Sequence, residues 1–140
     1  MRSRFFFITY GVANVSLVVY GALALVKPRV LLEPFALHVY QFPHTATAAV
    51  AYLAALFRLL GFFNLILGLL GLILLRRYGR SRQRWIVQVV IGSSLLSYLG
   101  PIVFDNTVGN IGLFEVIEHV LFVTMLVSGI LMLRERKPGA

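Results

Sequence analysis

The sequence predicts an all-α polytopic membrane protein, a bundle of four transmembrane helices with an apolar outer loop between the first and second. Three observations carry this expectation. Hydrophobic residues make up 59% of the 140-residue chain, at a mean hydropathy of +0.88, and they gather in runs longer than a soluble domain of this size would bury. Four of these runs, 5–26, 46–75, 85–104 and 111–133, reach the roughly 20 apolar residues that cross a bilayer. The basic residues fall at alternate ends of those runs. Little chain is left between the spans, so no separate soluble catalytic domain is expected. Residues 1–140 read as one transmembrane domain.

The first span follows Arg2 and Arg4. Ala22-Leu23-Ala24 gives it the look of a signal peptide, but its 22 residues exceed the roughly 7–15 of such a segment, so a retained helix is expected. At about 100° per residue, Tyr10, Asn14, Leu17, Gly21 and Ala24 share one face. Asn14 then points inward near mid-membrane, as an interhelical hydrogen bond or a ligand contact. Lys27-Pro28 ends the helix, and the outer loop runs to about Thr45 with Pro34 and Pro43 as further breakers. Leu31, Phe35, Leu37, Tyr40 and Phe42 suit a loop folded over the outer mouth of the bundle or lying in the headgroup layer, where aromatic rings are favoured. In the first position it would be a lid.

The second run is too long for one simple span. Counting about 20 residues back from Arg76, at about 1.5 Å each, puts the outer edge near Leu56. Residues 46–55 would project beyond it, and Arg58 would sit just below the boundary. Gly61, Asn64, Gly68 and Gly71 line one strip, a spacing that lets another helix approach closely. Tyr78 to Arg84 reads as an inner loop turning at Gly79, and Trp85 begins the third span at the interface. There Ser94, Ser97, Tyr98, Pro101 and Asp105 form a polar stripe, with Pro101 expected to kink or end the helix. Asp105 to Asn110 reads as a tight outer turn, with Asn106 or Asn110 capping the fourth helix.

The fourth span carries Glu115, Glu118 and His119 on one stripe with Phe122, Leu126 and Gly129. A carboxylate facing lipid near mid-bilayer costs on the order of 2.5–3.5 kcal/mol, so groups retained there face protein, water or a partner charge. Counting back from Arg134 puts Glu118 and His119 roughly 6–8 Å below the outer boundary, at about the depth of Arg58.

The net charge is +8, yet its distribution argues against nucleic acid. Arg2, Arg4, Arg76, Arg77, Arg80, Arg82, Arg84, Arg134, Arg136 and Lys137 lie on one side, against Lys27 and Arg29 on the other. Ten against two is a positive-inside pattern, which places both termini in the cytoplasm, with a prokaryotic inner or plasma membrane as the expected host. The arginine-rich link is a candidate surface for anionic lipid or an acidic partner. The chain has no cysteine, which excludes disulfides, thiolate catalysis and Cys-ligated metals. No Walker A loop, dinucleotide fingerprint or nucleophile elbow occurs.

Every histidine, and every acidic residue except Glu135, is therefore expected at or near the outer face: Glu33, His38, His44, Asp105, Glu115, Glu118 and His119. Three readings stand side by side. Arg58 with Glu118 or Glu115 would make a structural ion network with His119 as hydrogen-bond partner. Closely spaced carboxylates beneath an apolar lid also suit a proton-handling or ligand-orienting site. In that reading Glu118 is the acid/base, Glu115 its partner, Arg58 a charge stabiliser and His119 an orienting group, with Asn14, Asn64, Tyr98 and Asp105 as ligand contacts. A metal site would draw on Glu115, Glu118 and His119 with His38 or His44. Residue 116 is Val, however, so the di-iron Glu-x-x-His spacing is not met, and no metal or other cofactor is assigned.

Four spans in a small chain, cytoplasmic termini and the Arg58-x-x-Gly61 start of a glycine-rich second helix resemble the DoxX-like superfamily of small four-helix membrane proteins. Carboxylates and a histidine beneath an outer lid more distantly resemble the emopamil-binding sterol isomerase group. The first resemblance implies an accessory membrane subunit, with a membrane-protein partner or a second copy. The second implies a lipid-like or quinone-like ligand and acid/base, isomerase-like chemistry upon it. Neither family's full residue pattern is matched. The expectation is a small accessory or hydrophobic-ligand-binding membrane protein, with a membrane enzyme as the alternative.

Overall fold

The computed structural model describes residues 2–32, 47–108 and 112–134. Four helices account for nearly all of them: α1 (Arg2–Val26), α2 (Thr47–Ser81), α3 (Arg84–Val108) and α4 (Leu113–Leu133), with a further helical turn at 28–32. Each of the four is long and apolar enough to cross a membrane, and among the described residues there is no strand. The architecture is the expected all-α four-helix bundle of a small membrane protein. The outer loop, with Glu33, His38 and His44, lies almost wholly outside the described residues.

The helices pack as a ring in the order α1, α2, α3, α4. α1 also touches α3 across the middle, while α2 and α4 lie on opposite sides without contact among the described residues. The α1–α2 side is held backbone to backbone. A Cβ built on Gly21 would lie 2.6 Å from the Gly61 carbonyl oxygen and from the Leu65 nitrogen, and one on Gly61 would lie 2.6 Å from the Ala24 Cβ. Lower down, Gly68 faces the Asn14 carbonyl and Val18, and Gly71 faces the Asn14 side chain. Without a hydrophobic driving force between helices in lipid, such close approach is what makes van der Waals contact large enough to hold them. The strip read from Gly61, Gly68 and Gly71 is therefore a packing surface. Its complement is the α1 face of Tyr10, Asn14, Leu17, Gly21 and Ala24, buried along its whole length.

The core lies toward the end of the bundle where α1 begins. Phe6, Tyr10 and Ala13 of α1 meet Leu75 and Tyr78 of α2, Ile86, Val87 and Val90 of α3, and Met125 and Met132 of α4. The Tyr78 ring stacks on Phe7 (5.8 Å between centroids, 25° between planes) and meets Phe6 edge-on. This explains one departure from expectation. The link read as a loop turning at Gly79 is helical through Ser81, and only Arg82 and Gln83 form the turn. Burying Tyr78 against two phenylalanines outweighs the weak helix propensity of one glycine, as tertiary packing commonly does.

Two further expectations are corrected. Of the two readings of Pro101, a kink or an end, the end is excluded: Pro101 lies inside α3, which continues through Asp105 and Asn106 to Val108. The proline removes one backbone donor, a loss that helices in membranes tolerate. The cap of α4 is neither Asn106 nor Asn110. Gly112 stands at the N-cap, and its N–H donates to Glu115 Oε2 at 2.8 Å, which satisfies a backbone group at the helix start and sets a carboxylate against the positive end of the helix dipole.

Candidate functional site

Because α3 runs on past Pro101 and α4 starts at Leu113, Asp105 and Asn106 are carried on a helix beside the first two turns of α4. Asp105, His119 and Glu115 are the titratable groups close enough to act electrostatically on Glu118. Tyr20 of α1 lies within the fields of Glu118, Asp105 and Glu115, and Tyr98 within that of Glu118. Three carboxylates and a histidine are thus gathered at one end, backed by two tyrosines. All four are partly buried, and no residue of α4 before Met125 is fully buried.

His119 is fixed at both nitrogens. Nδ1 lies 2.6 Å from the Glu115 carbonyl oxygen, which can only accept, so Nδ1 donates. Nε2 lies 2.9 Å from Asn106 Nδ2, and that amide nitrogen also donates to the Ile102 carbonyl at 2.7 Å. An NH₂ group can only donate, so Nε2 accepts. In this arrangement Nδ1 is the donor and Nε2 the acceptor.

Beneath the cluster a polar seam descends along α1 and α3. The Tyr98 hydroxyl donates to the Ala13 carbonyl (2.9 Å) and contacts the Ser16 hydroxyl, which also donates to Ala13 (2.8 Å). Asn14 Nδ2 donates to the Tyr10 carbonyl (2.7 Å) and to Ser94 Oγ (3.2 Å), and the Tyr10 hydroxyl donates to the Met125 carbonyl (3.0 Å). The seam stops at the aromatic core of Phe6, Phe7 and Tyr78. Asn14, Ser94 and Tyr98 are at most 5% exposed, and each has a partner within the bundle.

The structure therefore brings Asp105, Glu115, Glu118 and His119 together and sets Tyr98 below them. Asn14 is deeper and engaged in packing. Arg58 and Asn64 ride on α2, across the ring from α4. Arg58 is exposed, it forms no ion pair with Glu115 or Glu118, and its charge is absent from those acting on Glu118. The two were matched by depth along their helices, but depth does not say which helices are neighbours. Asn64 is half-buried, with no side-chain hydrogen bond among the described residues. The α4 stripe is also rotated slightly from its expected phase: Met125, Ser128, Gly129 and Met132 are buried, whereas Leu126 is 41% exposed.

Sequence reasoning missed Tyr20, Asn106 and Ser16. Asn106 follows Asp105 of the α3 polar stripe by one position, so allowing that stripe a wider arc would have included it, whereas Ser16 lies about 200° around α1 from Asn14 and carried no such signal. Tyr20 lies off the α1 inward face and carried no signal. Among the described residues no group of three or more His, Asp and Glu side chains is arranged to hold a metal ion.

What the fold and this end of the bundle define is a class, that of small polytopic helical membrane proteins with a polar cluster at one end. No family model, curated protein or solved structure matches the chain.

Proposed function

We propose that the protein is a hydrophobic-ligand-binding membrane protein, and that the cluster of Asp105, Glu115 and Glu118 receives the polar head of an amphiphile whose tail lies among the helices. The head is positively charged and donates hydrogen bonds, as a protonated amine does. One observation carries this reading: three carboxylates lie at one end of the bundle beside a histidine whose two ring nitrogens are already engaged, and no lysine or arginine is among the charges that act on Glu118. Ionised carboxylates only accept hydrogen bonds, and like charges held together where water is scarce favour any arrival that brings a proton or a cation.

The acid/base alternative is less well supported. Arg58, its charge stabiliser, stands on the opposite helix, and α2 and α4 make no contact among the described residues. Binding of dodecylamine and of dodecanol to the full chain in a mild detergent, followed by native mass spectrometry, tests the proposal. The amine is expected to bind at least about tenfold more tightly, a factor that goes with about 1.4 kcal/mol, and Glu118→Gln is expected to remove most of that preference. Equal binding of the two probes overturns the reading.

A further inference from the structure

The opposite end of the bundle carries a different charge problem. Arg4, Arg76, Arg77, Arg80, Arg84 and Arg134 are all exposed there, and none is ion-paired among the described residues. The described acidic residues all sit at the far end. Arg82 differs from the other arginines in being held. It is the one described residue other than glycine with a positive φ, at 53°, a backbone conformation that glycine adopts freely and L side chains resist. Its N–H closes the last turn of α2 on the Tyr78 carbonyl at 2.9 Å. A glycine would serve that turn with less strain, so keeping arginine there points to a use for its side chain.

The side chain is aimed back over the bundle end. The guanidinium carbon lies 5.8 Å from the centre of the Tyr78 ring, and Nη1 reaches Ser3 Oγ at 3.4 Å. Tyr78 is itself fixed by Phe6 and Phe7. Arg82 thus spans from the α2–α3 turn to the start of α1, with Arg4 one residue beyond Ser3 and Arg84 two residues beyond Arg82. One contact with a neutral hydroxyl leaves most of the five guanidinium donors unused.

We propose that Arg82, flanked by Arg4 and Arg84, forms a built site for the phosphate of an anionic phospholipid. A guanidinium fork matches phosphate oxygens bidentately, and basic pockets between the ends of transmembrane helices suit anionic headgroups. A lipid fits better than a soluble acidic partner because the turn between α2 and α3 is only Arg82 and Gln83. A two-residue turn keeps the guanidinium close to the ends of the spans, where it offers a soluble partner little to grip. Trp85, which is 50% exposed and donates from Nε1 to Gln83 Oε1 at 2.8 Å, sits at the same level, where indole rings are favoured.

Trp85 is the only tryptophan in the chain, so it reports on this site without a label. The full chain would be reconstituted in phosphatidylcholine vesicles containing a minor fraction of brominated phosphatidylglycerol or, in a parallel set, of brominated phosphatidylcholine. Stronger quenching of Trp85 by the anionic lipid at equal mole fraction is expected. Arg82→Gln should lower the preference about fivefold, the factor corresponding to about 1 kcal/mol per basic residue near a membrane surface. Arg82→Gly should lower it as much while unfolding at no lower temperature than the parent chain, which separates loss of the site from loss of the fold. Arg134→Gln should keep most of the preference. Equal quenching by the two lipids overturns the proposal and leaves the arginine end to an acidic protein. Equal losses in Arg82→Gln and Arg134→Gln overturn it as well, because they would mean a diffuse surface charge.

Discussion

The two halves of this bundle solve the problem of polar groups in a membrane differently. Toward the arginine end all four helices contribute fully buried residues, from Phe6 and Tyr10 through Tyr78, Ile86 and Val90 to Met125 and Met132. Toward the carboxylate end only the α1–α2 side stays closed, through Gly21, Ala24 and Gly61. On α3 no described side chain beyond Tyr98 is fully buried, and on α4 none before Met125. In the packed half, Tyr10, Asn14 and Ser94 are each matched to a partner on the chain. In the open half, carboxylates lie within one another's fields, and it is there that something from outside the chain has room to complete the pairing. Tight packing goes with internal satisfaction, save at the buried Ser128 hydroxyl, which has no hydrogen-bond partner among the described residues, and its absence goes with unmet charge.

The largest break in this comparison comes from the glycine seam, because it alone closes both halves. Gly21→Val would push its side chain against the Gly61 carbonyl and the Leu65 backbone, each 2.6 Å from the Cβ position. Backbone on both sides cannot rotate away. Overpacking commonly costs about 1–3 kcal/mol, and with no flexible neighbour the upper end or beyond is expected. Unfolding followed in mixed micelles should show the loss, with α1 and α2 separating. Asn14→Leu comes next. It removes hydrogen bonds to the Tyr10 carbonyl and to Ser94 Oγ while keeping similar volume, and a cost of about 1–2 kcal/mol is expected from what such bonds contribute in membranes. No change in stability would mean that the packed half does not depend on its internal pairing.

Much of the α1–α2 side was legible in the sequence, and the reason is local. A face repeating at helical period, such as Tyr10, Asn14, Leu17, Gly21 and Ala24, states what one helix needs on one side, and small residues at Gly61, Gly68 and Gly71 state what a partner offers. The open half was less legible because its geometry depends on how helices are arranged around the ring. Glu118 and Arg58 were paired by depth, yet α2 and α4 do not meet. Asp105 was assigned to a turn and proves helical, because the absence of one donor at Pro101 does not end a helix held by its neighbours. That extension is what brings Asn106 to His119. Expecting α3 to stop near Pro101 left no reason to pair the two.

The same contrast gives opposite signs for polar substitutions in the two halves. Asn14→Leu removes satisfied hydrogen bonds, whereas Glu118→Gln or Asp105→Asn removes repulsion between carboxylates. Each of the latter is expected to leave stability unchanged or raise it by roughly 0.5–1 kcal/mol, the range in which exposed or half-exposed charge pairs act. The double change should gain less than the sum, since the two share one interaction. Arg58→Met should have no influence on either effect. If Arg58→Met instead reversed the sign of the Glu118→Gln change, an ion pair across the ring would have to form in solution.

The smallest expected effect tests the comparison most narrowly. Gly11 and Gly21 belong to the same helix, ten residues apart, and composition alone cannot distinguish them. A Cβ on Gly21 meets the backbone of α2 at 2.6 Å, while a Cβ on Gly11 has nothing within 4 Å beyond its chain neighbours and its own helix backbone. Gly11→Ala should therefore change stability by no more than about 0.5–1 kcal/mol, in the favourable direction set by helix propensity, whereas Gly21→Ala should lose stability despite the same gain in propensity. A loss at Gly11 comparable to that at Gly21 would place another surface against this stretch of α1, a lipid or a second copy of the chain.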